Sequence, residues 1–195
     1  MIPSFRAWIT LLIFRRWAET AFYAVVSDLF IRPRRAWLRF QLTQTIRLMR
    51  QAFRKQEYDS VERLAALAIE LAQQVGQHAI RDEAIHICHQ YWGFVCSEKK
   101  DWISAIYHLE ESTKIEGTLL LRALAPSLRL SRALVEHGDI KPVLKNLEEL
   151  RRWWACDSPF GERTAAERER LIKGWMQKVQ KGQVPNDHTW RPYGD

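Results

Sequence analysis

Apolar residues recur along this chain at three- and four-residue intervals, a pattern that predicts helices over most of its length. Leu11, Phe14, Ala18, Ala21, Phe22, Val25 and Leu29 share one face of a first helix within residues 1–31. Trp37, Phe40, Leu42, Ile46 and Phe53 mark a second, from Ala36 to Lys55, after a break at Arg32-Pro33-Arg34-Arg35. Asp59 and Glu62 have capping-box spacing and open a helix to about Val75. Glu83 to Gly117 reads as two antiparallel helices with a tight turn at Glu98-Lys99-Lys100. Leu119–His137 and Ile140–Trp154 form a further pair around Gly138-Asp139, with Pro142 tolerated in the first turn of its second helix. Thr164 and Glu167 form a second capping box ahead of an amphipathic helix through Leu171, Trp175 and Val179.

The Glu83–Gly117 stretch resembles one tetratricopeptide (TPR) unit. Gly93 matches the small position of helix A, and Trp102 the aromatic that opens helix B. Ala105, Leu109 and Ser112 follow at the tight-contact, large and small positions, while Gly117 stands where a closing proline is usual. Tyr58, Val61, Ala65 and Ala68 repeat that spacing in a more degenerate copy. Ile140, Val143, Leu147 and Leu150 repeat it again, with Ser131 at the small helix-A position. Tyr58, Trp102 and Ile140 lie 44 and 38 residues apart, longer than the TPR period of about 34. The resemblance implies an all-α fold: a right-handed α-α superhelix of about three TPR-like helix pairs with additional N- and C-terminal helices. Glu116-Gly117-Thr118-Leu119-Leu120, Ala125-Pro126-Ser127 and Arg151-Arg152-Trp153-Trp154 also resemble a family of bacterial TPR-containing proteins. That likeness implies fold and bacterial origin and carries no activity or functional residues with it. Residues 1–35 are expected to form an amphipathic cap or membrane-interface helix, 36–181 the repeat domain and 182–195 an irregular tail.

Charge changes this picture at one end. Residues 1–56 hold eleven Arg or Lys against two acids, and the rest of the chain holds nineteen against twenty-one. Basicity confined to one quarter points to an anionic surface, lipid or nucleic acid. Arg15, Arg16 and Glu19 interrupt the apolar run, so residues 1–31 read neither as a spanning helix nor as a cleaved leader. Trp8, Arg15, Arg16, Trp17, Arg32, Arg34 and Arg35 are the expected contacts with a membrane or other anionic surface. The location this implies is cytoplasmic, at the inner face of the cytoplasmic membrane. Arg32, Arg34, Arg35 and Arg39 also interleave with Trp37 and Phe40, as in single-strand nucleic-acid binders, although no recognition motif accompanies them.

No catalytic constellation, phosphate loop or cofactor motif is legible, so a non-enzymatic protein with no cofactor is expected. His86, Cys88, His89 and Cys96 lie too far around a single helix to converge on one metal. Buried cysteines and partly exposed histidines are expected instead. Glu110-Glu111 and Glu148-Glu149 diverge on their helices and read as solvated faces.

Helix A of each TPR unit lines the concave face of the array, where partner segments bind. In this register Ile46, Arg47 and Arg50 fall on that face, then Gln90, Tyr91 and Phe94, then Leu128, Arg129 and Arg132. An aromatic centre flanked by arginines suits an acidic, partly apolar protein segment. The expected function is a scaffold or adaptor that binds another protein; the alternative is a nucleic-acid-associated regulator using the basic N-terminal quarter.

Overall fold

A computed structural model of the chain describes residues 32–76, 78–116, 127–155 and 164–186. Among the described residues there are seven helices and no strand. They are α1 (Arg32–Arg54), α2 (Tyr58–Val75), α3 (His78–Glu98), α4 (Trp102–Thr113), α5 (Arg129–His137), α6 (Ile140–Trp154) and α7 (Ala165–Gln180). The chain divides into two compact units, residues 1–41 and 42–195, with the boundary inside α1. In the first unit, Arg34, Arg35, Trp37 and Phe40 are exposed.

Within the second unit, helices that follow one another in sequence pack against one another. Helix α3 lies against α2 and α4, α5 meets α3, α4 and α6, and α6 meets α4 and α7. This is stacked helix-on-helix packing of a repeat-like kind. Its core holds Ala105, Leu109, Leu130, Leu134, Val143, Leu147, Leu150, Ile172 and Val179. Val61, Ala65, Ala68, Ala72 and Val75 bury one stripe of α2, and these small side chains let α3 approach. At the α3–α4 contact Gly93 leaves no room for a side chain: a β-carbon there would lie 2.9 Å from His108 Cβ.

Local chemistry fixes several helix ends. Asp101 caps α4 by accepting the Ser104 backbone N–H at 3.1 Å. Gly138 ends α5 with φ +104°, and the next amide, that of Asp139, donates to the Leu134 carbonyl at 2.9 Å. Pro142 sits in the first turn of α6, and Thr164 and Glu167 form the expected capping box on α7. Helix α7 then stacks Trp175 on Trp154, with centroids 5.7 Å apart, and buries Arg168, whose Nη1 donates to the Trp154 carbonyl.

Four expectations are corrected. Arg32 to Arg35 are helical, because a proline near a helix start removes no hydrogen bond that would otherwise form. The Asp59–Glu62 capping box does not form: the N-cap lies two residues earlier, at Glu57, which caps α2 without a side-chain bond. Both carboxylates instead hold Lys99 Nζ, at 2.8 and 3.0 Å. The first helix of the central pair starts at His78 rather than Glu83. Finally, Leu119–His137 is not one helix, since Ser127 and Leu128 are non-helical and α5 starts at Arg129. Those two residues directly follow Pro126, which has no N–H to give to a helix.

Candidate functional site

Three helices, α1, α3 and α5, place side chains at one point. Phe53 stands in the last turn of α1, Tyr91 and Phe94 lie one turn apart on α3, and Arg129 opens α5. The edge of one ring meets the face of another between Phe53 and Tyr91, at 4.8 Å between centroids, and between Phe53 and Phe94, at 5.5 Å. The Arg129 guanidinium lies 4.0 Å from the Phe94 centroid and 4.9 Å from that of Phe53, a double cation–π contact. Arg129 is thereby held in position at the edge of an aromatic platform.

Beside this platform is a cavity of about 580 Å³. Arg47, Arg50 and Arg54 of α1 face Ile80, Glu83 and Ile87 of α3 across it, with Leu42 and Ile46 also in the wall. The three arginines are exposed and have no ion pair among the described residues. Burial raises the Glu83 carboxyl above its ordinary pKa, and the Arg50 charge opposes that rise.

The expected groove residues therefore separate. Tyr91, Phe94 and Arg129 come together, while Arg47 and Arg50 line the neighbouring cavity. Arg132 is exposed and paired with Glu136 at 2.8 Å. Gln90 turns away from both groups, into the α3–α4 interface, where its Nε2 donates to Ser112 Oγ at 2.9 Å. Phe53, Arg54 and Glu83 were not marked by the sequence. Phe53 and Arg54 fall three and four positions beyond Arg50, spacings that continue its helix face. Trp8, Arg15, Arg16 and Trp17 lie outside the described residues, as does the Arg32 side chain.

The histidines also depart from expectation. His86, His89 and His108 are buried. His86 Nδ1 donates to the Ser112 carbonyl at 2.7 Å, and the Nδ1 atoms of His89 and His108 share a 2.9 Å hydrogen bond. Trp92 stacks on His108 at 4.4 Å. Burial, reinforced for His89 by the neighbouring His108, lowers the pKa of each member of that pair to about 4. Both rings are then neutral near pH 7, one donating and the other accepting. Among the described residues, no three His, Cys, Asp or Glu side chains are placed to hold a metal ion. The paired glutamates point apart: Glu110 to Lys145, Glu111 to Lys114, Glu148 to Arg151 and Glu149 to Arg152.

No protein-family model, curated protein or solved structure matches the chain in comparison. Among the described residues, no helix is long and apolar enough to cross a membrane.

Proposed function

We propose that this chain is a non-enzymatic scaffold or adaptor built from TPR-like pairs in a right-handed superhelix, and that it binds an acidic, partly apolar segment of another protein. One observation carries the reading: Phe53, Tyr91, Phe94 and Arg129, from three different helices, converge on one platform. Rigid aromatic area beside a positioned guanidinium is the composition of a binding hot spot. The resemblance to bacterial TPR proteins supports a cytoplasmic location, and the basic N-terminal quarter supports contact with the inner face of the membrane.

Affinity capture of the partner by the full chain tests this reading. Arg129→Glu is expected to abolish capture, and Lys141→Glu, on another helix, to leave it intact. Equal capture by both variants would overturn the proposal.

A second reading has its own observation. Arg34 and Arg35 are exposed beside Trp37 and Phe40, whose relative exposures are 57% and 59%. Charge interleaved with open aromatic faces suits single-stranded nucleic acid. Such binding would weaken steeply with salt, whereas apolar insertion into vesicles would persist.

A further inference from the structure

The cavity between α1 and α3 joins an apolar wall to an excess of positive charge, three arginines against one carboxylate. Arg47, Arg50 and Arg54 stand at i, i+3 and i+7 and so share one face of α1. Ile80, Ala84 and Ile87 answer them from α3, and Leu42 and Ile46 add apolar surface from α1. Glu83 is the single carboxylate in the lining, so the trough keeps a positive balance.

We propose that this trough receives one acidic amphipathic helix of a partner protein. Its apolar stripe would rest on Leu42, Ile46, Ile80 and Ile87, and its carboxylates would pair with Arg47, Arg50 and Arg54. The assignment rests on reading the A-helix face as a protein-binding surface, and it names the occupant. Geometry favours a helix over an extended chain. The arginine row rises about 10 Å along α1 at 1.5 Å per residue, and acidic residues at i, i+3 and i+7 of a docked helix rise by the same amount. An extended segment sets same-face side chains roughly 6.7 Å apart, so three of them overrun the row. Guanidinium–carboxylate pairs are the strong, directional kind, and among the described residues Glu83, whose charge interacts with Arg50, is the one carboxylate in the lining. A flat lipid surface would leave the concave apolar wall unfilled.

Fluorescence anisotropy with the full chain tests this, using three labelled 14-residue peptides. One carries leucine at i, i+3, i+4 and i+7 with flanking glutamates, one is its lysine counterpart, and one is the acidic peptide scrambled. The acidic helix is expected to bind at least about tenfold more tightly than either control. Arg50→Glu/Arg54→Glu, with its fold verified by circular dichroism, is expected to reverse the preference toward the lysine peptide. Unchanged acidic-peptide affinity in that variant overturns the trough as the site. If Arg129→Ala alone removes binding, the platform reading survives and the trough proposal fails. Equal binding of the scrambled peptide, displacement by a short single-stranded oligonucleotide at the same affinity, or no binding of the acidic helix each overturns the helical occupant. Partner capture remains a separate test of the broader reading.

Discussion

Leu130 approaches α3 so closely that a β-carbon on residue 93 would stand 2.5 Å from its Cδ2. Gly93 is thus where α3 meets both α4 and α5. Gly93→Ala is expected to destabilise the fold by about 1–3 kcal/mol, the usual cost of overpacking a filled core. Intrinsic helix propensity runs the other way, because alanine is the better helix former by about 1 kcal/mol. Urea denaturation of the variant gives the sign, and a gain in stability would refute the close contact.

The His89–His108 pair makes stability depend on pH. Both folded pKa values, about 4, lie below the ordinary value of 6.5, so the unfolded chain takes up protons first as pH falls. The stabilising contribution is complete above about pH 6.5 and lost as pH drops through about 4. Thermal melting between pH 7 and 4 should show a falling midpoint, and His89→Leu/His108→Phe should flatten that dependence.

Cys88 and Cys96 are buried, and burial raises their thiols to about 12 and about 11. Little thiolate exists at pH 8. Iodoacetamide should leave both unmodified in the folded chain and alkylate both in urea, as site-resolved mass spectrometry would show. Rapid labelling of Cys88 under native conditions would contradict this packing.

Thr164 and Glu167 close a reciprocal cap on α7. Thr164→Ala should cost about 1 kcal/mol. Because α7 carries one half of the Trp154–Trp175 stack, the loss should appear in tryptophan fluorescence at lower urea than in the parent chain.

How much of this was legible in the sequence depends on how local each cause is. Gly93, Ala105, Ser112 and Ser131 could be read because small residues at fixed helical spacing report close approach, and Ala105, Ser112 and Ser131 are fully buried. The Thr164 cap could be read because both partners lie within four residues. Asp59 and Glu62 misled because their partner, Lys99, is 40 residues away from Asp59 and the two acids are claimed across the fold. Gln90 and Tyr91 are adjacent in sequence but about 100° apart around the helix, so a one-residue uncertainty in register separates interface from platform. His86 and His89 read as partly exposed because polar residues on a helix ordinarily are. Their burial is made tolerable by partners on α4 that periodicity does not reveal. Phe53 reads as one more apolar position on its helix; its aromatic and cation–π contacts depend on α3 and α5 bringing Phe94 and Arg129 to it.

Helix α7 buries Arg168, Ile172, Trp175 and Val179, and turns Glu167, Arg170, Lys173, Gln177 and Lys178 outward. A stack of helix pairs grows by offering each newcomer an apolar stripe, and this outer surface offers none. The same helix that completes one packing layer therefore carries, at its own exposed positions, no apolar stripe for a further helix to bury.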